Sequence, residues 1–230
     1  MNMSKYRGAG ICLLLSSSLL TACASISTNP SVSDTKTQSQ AAIEAPTIPV
    51  EAQKHQAALT AVTDFNIAGR MGIQSEGYGV SGTIHWKHSN ENDAIDLYSP
   101  LGTKIAAIVK TTDGVSLTTK DGKIIKAQDA ETLTARTLGW KLPLSKLPDW
   151  IVGRPASGVV TSFAWDENGK LSKLSQDGWE ISYMQYQTDI QPSLPNKLNL
   201  RNPKMNVRII VESWDTSPQT SFENNTAQLP

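Results

Sequence analysis

Phe65-Asn66-Ile67-Ala68-Gly69-Arg70-Met71-Gly72-Ile73 is the stretch that decides the fold, because its large apolar residues fall at every second position. A period of two is the signature of a strand with one dry face and one wet face. The next run repeats it with Tyr78, Val80, Gly82, Ile84 and Trp86. Two such strands a few residues apart make a hairpin and start an antiparallel sheet.

Downstream the pattern continues in short strands over residues 93–98 and 103–110. Asp113-Gly114 and Asp121-Gly122 read as hairpin turns whose residues take positive φ, and Asn168-Gly169 and Asp177-Gly178 repeat the signal. Further strands cover residues 159–165, 171–176, 179–186, 197–200 and 205–214. Successive hairpins favour an antiparallel meander over a parallel sheet. A helical insert interrupts the meander. Asp129 is placed to cap a helix running through Leu133 and Leu138 to Gly139. Ser145 is placed to cap a second, short one, with Pro148 in its first turn, Gly153 at its end and Pro155 beyond. The expected fold class is α+β: a strongly curved antiparallel sheet with a few helices on one side.

Upstream, Pro49, Ala52, His55, Leu59 and Val62 describe a helix that opens the domain. Residues 24–50 are rich in Ser, Thr, Ala, Gln and Pro, without an aromatic or a periodic apolar face. They read as a flexible tether. Residues 215–230 have the same character and read as a disordered tail. One folded domain, residues 51–214, lies between.

The first 22 residues read as a secretory leader. Lys5 and Arg7 supply the charge, residues 10–20 form a short apolar run, and Leu20-Thr21-Ala22-Cys23 follows. The run is shorter than the roughly 20 apolar residues a spanning helix needs. Leu-Thr-Ala-Cys fits the lipobox at which a bacterial lipoprotein is cut and acylated on its cysteine. Cys12 would leave with the leader, so Cys23 would be the one cysteine of the mature chain. It has no internal disulfide partner, and acylation accounts for it. Cys23 is therefore expected to carry S-diacylglycerol and an N-acyl group, several chains that anchor firmly at about 0.8 kcal/mol per buried methylene. Ala24 follows, with no aspartate to signal retention at the inner membrane, so the expected location is the outer membrane, facing the periplasm.

Overall charge points to no electrostatic partner. Without its leader the chain holds two more acids than bases, and nothing suggests nucleic-acid binding. Catalytic and metal motifs are missing: there is no Gly-rich phosphate loop, no nucleophile elbow and no HExxH. His85, on the wet face beside Trp86, reads as a surface histidine, and His55 lies on the first helix. Asp93 and Asp96, like Asp166 and Glu167, read as solvated turn or strand-end acids. Arg70 faces away from its apolar neighbours, either solvated or as a polar clasp at a cavity mouth.

Six tryptophans stand in the chain. Trp86, Trp179 and Tyr78 share the dry parity of their strands, and Trp140 and Trp150 lie on the insert. They build either a plain core or the wall of a cavity for acyl chains. The candidate lining set is Tyr78, Ile84, Trp86, Trp140, Trp150 and Trp179. In Ser99-Pro100-Leu101-Gly102 the order of Ser, Pro and Gly matches a type I turn and puts Leu101 at its tip. A tip residue meets solvent. Leu101 either folds back as ordinary packing or protrudes as a small apolar wedge.

These residues, in this order, resemble the outer-membrane lipoprotein receptor family LolB. The resemblance covers the lipobox and nearly all of residues 51–214. It is carried by His55 and Leu59, Phe65 with Gly69-Arg70, the strand ending at Trp86 and the Ser99-Pro100-Leu101-Gly102 turn. It continues through Asp129-Ala130-Glu131, Gly139-Trp140, Leu142-Pro143-Leu144, and Leu147 with Trp150-Ile151, Gly153 and Pro155. Gln176, Gly178-Trp179, Tyr183, Leu194-Pro195 and the strand closing at Trp214 complete it. The resemblance implies an incomplete β-barrel capped by helices around an apolar cavity. It also implies a monomer without cofactor that accepts acylated lipoproteins from the periplasmic carrier LolA and places them in the inner leaflet of the outer membrane. The family's protruding leucine falls on Leu101, flanked by Pro100 and Gly102. The alternative from another class is a lipid-anchored scaffold of an outer-membrane assembly complex, with a solid core and an exposed patch or sheet edge. A lipid hydrolase is disfavoured by the missing nucleophile constellation.

Overall fold

The computed structural model describes residues 48–217, apart from residues 76, 91, 139, 140 and 142. Helix α1 (Val50–Leu59) leads into the hairpin β1 (Asp64–Ser75) and β2 (Tyr78–Ser89), then β3 (Asn92–Tyr98), β4 (Lys104–Thr111), β5 (Gly114–Thr119) and β6 (Ile124–Ala127). Two helices follow, α2 (Ala130–Leu138) and α3 (Leu147–Val152). The chain then returns to strands: β7 (Val160–Trp165), β8 (Leu171–Gln176), β9 (Trp179–Gln187), β10 (Leu194–Asn202) and β11 (Met205–Asp215).

All eleven strands form one antiparallel sheet in the order β6-β5-β4-β3-β2-β1-β11-β10-β9-β8-β7. Two meanders, β1–β6 and β7–β11, are joined by the β1–β11 pair. The sheet does not close, since β6 and β7 stand at its two edges. Laid flat it would measure about 48 Å across at ordinary strand spacing, far more than three short helices can cover. It curves instead, and residues from nearly every strand join one buried cluster with Leu133, Leu147, Trp150, Ile151 and Val152 from the helices.

Parity decides which side chains enter that cluster. In β1 the buried positions are Phe65, Ile67, Gly69 and Ile73, and in β11 they are Met205, Val207, Ile209 and Val211. Two glycines let the strands crowd together. A Cβ on Gly69 would lie 2.1 Å from the Ile210 carbonyl oxygen, at the β1–β11 bulge. A Cβ on Gly82 would lie 2.0 Å from the Tyr98 carbonyl oxygen. Bulges and strand glycines are the places where a sheet bends.

The two halves of the sheet are filled differently. Against the β7–β11 half lies α3, whose Trp150 donates from Nε1 to Gln176 Oε1 at 2.8 Å and whose Trp150 carbonyl accepts from the Tyr183 hydroxyl at 2.9 Å. Burial pushes the Tyr183 phenol well above its ordinary pKa, so it remains a donor. Helix α1 joins this half through His55 Nε2, 2.9 Å from the Ser193 carbonyl oxygen, and through Gln56 Nε2, which donates to the Gly153 carbonyl at 2.9 Å. Among the described residues, α2 lies over β5 and β6 in the β1–β6 half.

Some local expectations change. Asp129 caps α2 as expected, its Oδ1 accepting from the Thr132 amide at 2.6 Å. Ser145 does not cap α3; the residue before that helix is Lys146, and Ser145 Oγ donates to Glu131 Oε1 at 2.6 Å, tying the two helices together. Of the four expected hairpin turns, Asp177-Gly178 alone among the described residues has positive φ at both positions. At 119–123 and 166–170 the turn closes with the fourth-position glycine amide bonded to the first carbonyl, so only the glycine needs the left-handed region. Strand β11 reaches Asp215, one residue past the expected boundary; Asp215 pairs with Asn66.

Candidate functional site

An apolar cavity of about 880 Å³ opens in the β1–β6 half. That is within the roughly 300–1,000 Å³ of pockets that hold small or chain-like ligands. Its wall is aliphatic: Met71 and Ile73 from β1, Val80 from β2, Leu97 from β3, Ile105 and Ile108 from β4, Leu117 from β5, Ile125 from β6 and Leu133 from α2. Two of the hydroxyls that reach it are occupied within α2. Thr134 and Thr137 on α2 donate their hydroxyls to the carbonyls of Ala130 and Leu133, at 2.9 and 2.8 Å. Among the described residues, no carboxylate, histidine or thiol is part of the lining.

Cross-strand register explains where the cavity stops. Trp86, Ile95, Ile108, Leu117 and Ile125 stand opposite one another in turn across five strands. Ile108, Leu117 and Ile125 in that row face the cavity, while Trp86 and Ile95 are buried behind it. The next row holds His88, Asp93 and Lys110. There Asp93, only 3% exposed, is a hub: Oδ1 accepts from Trp86 Nε1 at 2.8 Å and lies 2.8 Å from His88 Nδ1, and Oδ2 accepts from Lys110 Nζ at 3.2 Å. Phe65 stacks on His88 with ring centroids 4.9 Å apart. This closed polar end pins the strands below the cavity.

At the opposite end of the same strands lies the 99–103 turn. Tyr98 and Ile105, on either side of it, both line the cavity, so the turn stands at the cavity mouth. The Gly102 amide donates to the Ser99 carbonyl at 2.9 Å, and the Ser99 amide to the Thr103 carbonyl at 2.8 Å. Gly102 takes φ +80°, and nothing would obstruct a Cβ there within 4 Å. Pro100, Leu101 and Gly102 are all exposed, Leu101 at 94%. Of the two sequence alternatives, the leucine protrudes. Lys104, next to the turn, is committed to Asp96 at 2.9 Å, and that contact raises its pKa.

The expected aromatic lining is placed otherwise. Ile84, Trp86, Trp150 and Trp179 are buried in the core, and none of them borders the cavity. Trp150 and Trp179 pack in the filled half, with ring centroids 6.1 Å apart. Their dry parity was read correctly, but their level along the strands puts them where α3 and neighbouring rings fill the space. Trp140 lies outside the described residues, as do Cys23 and residues 218–230. Tyr78 opens β2, and its side chain is likewise outside what is described. The wall is built instead by residues such as Met71, Ile73 and Val80, which share the inward parity of β1 and β2. Arg70 is exposed, and its Nε bonds Glu212 Oε1 at 2.7 Å. His85 is exposed as expected, 5.1 Å from the Tyr98 ring, whereas His88 is buried by its inward parity. Asp166 accepts from the Asn168 and Lys170 amides within its turn.

Fold and site together define an open β-barrel that keeps an apolar cavity in one half and an exposed leucine at the cavity mouth. The family model of the outer membrane lipoprotein LolB matches residues 63–214. The chain is 36% identical over 154 residues to the outer-membrane lipoprotein LolB of Thiobacillus denitrificans, covering 67% of this chain and 81% of that one. It is 33% identical over 173 residues to the protein of that name from Nitrosomonas europaea, covering 74% and 81%. Among solved structures, a LolA superfamily protein from Nitrosomonas europaea superposes with a TM-score of 0.46 at 9% identity, over 73% of this chain and 94% of that chain. The chain belongs to the outer-membrane lipoprotein LolB family.

Proposed function

We propose that this protein takes acylated lipoproteins from the periplasmic carrier LolA and delivers them into the inner leaflet of the outer membrane. The observation that carries this reading is the aliphatic cavity of about 880 Å³ with Leu101 protruding at its mouth. Cys23 carries the diacylglyceryl and N-acyl groups that hold the protein in the membrane it serves.

The physics favours direct handover. Each methylene of an acyl chain costs about 0.8 kcal/mol to expose to water, so cargo passes from cavity to cavity. Transfer runs downhill in affinity: the receiver binds the chains better than the carrier does, and the bilayer better still. No bond is made or broken, and among the described residues the lining holds no carboxylate, histidine or thiol. The protein acts as a monomer without nucleotide. A scaffold with a solid core fits less well, since the β1–β6 half is hollow.

The test is transfer in buffer. The mature chain from residue 23, with Cys23→Ala to keep it soluble, is mixed with carrier loaded with an acylated lipoprotein, without detergent or nucleotide. Movement of cargo onto the chain is the expected result. Retention of cargo by a carrier from the same organism would refute the receptor role.

A further inference from the structure

We infer that the cavity rim, from its mouth along the open edge strand β6, carries a cationic arc that seats it on the phosphate groups of an anionic phospholipid surface, with Leu101 and Ile124 as its two apolar contacts. This inference rests on the receptor reading, because it concerns how that cavity is presented to a bilayer.

The arc consists of Lys120, Lys123, Lys126 and Arg136. Three of these, Lys123, Lys126 and Arg136, border the cavity directly, Lys126 three residues beyond the turn on the open edge strand, where it pairs with Ser116. Lys120 shares the β5–β6 turn with Lys123, and both ends of that turn, Thr119 and Lys123, line the cavity. Register places this turn beside the leucine turn. Thr119 pairs with Ala106 on β4, so the chain beyond Thr119 runs alongside Ile105 and Lys104, where the 99–103 turn ends. Ile124 follows Lys123 on the edge strand, also lines the mouth, and is 60% exposed.

Most other cations near β3 and β4 are committed. Lys104 pairs with Asp96 and Lys110 with Asp93. Among the described residues, none of Lys120, Lys123, Lys126 and Arg136 forms an ion pair with a carboxylate. Two acids face the arc without an ion pair: Asp121, in the same turn, is held chiefly by the Thr119 side chain and attracted by Lys120 and Lys123, and Asp129, held by Thr132, is attracted by Arg136. The cargo's own anchor is not what these cations serve, because a thioether diacylglycerol and an amide-linked acyl chain bear no charge. Exposed aliphatic tips interleaved with unpaired lysine and arginine match the chemistry of a bilayer surface, with apolar groups at the headgroup boundary and cations at the phosphates. With the mouth so seated, an acyl chain leaves the cavity without crossing water.

The experiment uses the mature chain from residue 23 bearing Cys23→Ala, so that its own lipid does not hold it. Binding is measured by sedimentation with vesicles of phosphatidylethanolamine and phosphatidylglycerol (3:1) and with phosphatidylcholine vesicles, at low and high salt. The parent is expected to prefer the anionic vesicles by about a hundredfold, as four cations near an anionic leaflet allow, and to lose that preference at high salt. The variant K120E/K123E/K126E/R136E is expected to bind both vesicles alike, and the charge-keeping K120R/K123R/K126R/R136K to restore the preference. A parent without preference, or a reversal variant that keeps it, would overturn the inference. So would a reversal variant that binds vesicles like the parent yet no longer takes cargo from the carrier, since the cations would then face an acidic carrier surface. Cargo acceptance by the parent in solution reads the receptor role separately from vesicle binding.

Discussion

Replacing Leu101 by glutamate tests the delivery step by itself. Leu101 is 94% exposed at the tip of a turn whose hydrogen bonds all come from backbone and Ser99. The substitution therefore changes folding stability by no more than about 0.5 kcal/mol. Its effect appears when the turn meets a bilayer. Fully burying a leucine side chain contributes about 1.5–3 kcal/mol, and a shallow contact lies at the lower end. Bringing a carboxylate to the same depth costs further, below the roughly 2.5–3.5 kcal/mol of an acidic side chain at the bilayer centre. Together the loss is about 3–4 kcal/mol, or two to three orders of magnitude in membrane engagement at 1.4 kcal/mol per tenfold. Leu101→Ala, which removes only the apolar part, loses about tenfold. The assay loads the mature Cys23→Ala chain from the carrier, adds vesicles, and follows cargo by flotation. Acceptance from the carrier should be retained, while delivery collapses in the glutamate variant and drops modestly in the alanine one. Equal delivery by parent and Leu101→Glu would refute the wedge. Equal loss of acceptance and delivery would assign the turn to carrier docking instead.

Asp93→Ala strands the Trp86 indole N–H, His88 and Lys110 at the closed end of the barrel. The loss should be about 3 kcal/mol, the lower end for a broken buried ion pair because Lys110 keeps some access to water; a urea midpoint shift worth less than 1 kcal/mol would contradict the hub. Gly82→Val would set a Cβ 2.0 Å from the Tyr98 carbonyl oxygen, so β2 and β3 must part. This should cost at least the roughly 1–3 kcal/mol of overpacking and weaken binding of a fluorescent fatty-acid analogue; unchanged stability would mean the strands yield freely. Asp129 caps α2, and its bonds from the Thr132 amide and hydroxyl hold its pKa below 3.8. A lowered folded pKa means the stabilisation is full above about pH 3.8 and is lost as pH falls through the lower folded value. Asp129→Ala should therefore loosen α2 at neutral pH, read as faster exchange of the Thr132 and Leu133 amides, and the difference from the parent should shrink below pH 3.8. A difference that grew on acidification would reverse the sign and exclude the cap.

The sequence by itself determined the antiparallel meander, the faces of its strands and most of its turns. These are local properties: a period of two assigns each side chain to one face, and a fourth-position glycine supplies the left-handed residue at the turns of residues 99–102, 119–122 and 166–169. Parity sent Phe65, Ile84, Trp86 and Trp179 to the inside, and Arg70 and His85 to the outside, as the structure has them. Turn chemistry put Leu101 at a tip, and the order of motifs pointed to the family. What parity cannot carry is the level of a residue along its strand, or what lies across from it. Trp86 and Val80 share one face of β2, yet Trp86 is packed behind the cavity and Val80 lines it. That difference arises from how far the sheet curls at Gly69 and Gly82, and from where the helices dock. Helix α3 fills the space over β7–β11 with Trp150, while α2 sits over β5 and β6 and leaves room beside Leu117. Only the tertiary structure decided which half stays hollow, because a cavity is the volume left between elements far apart in sequence, and no local pattern encodes that remainder.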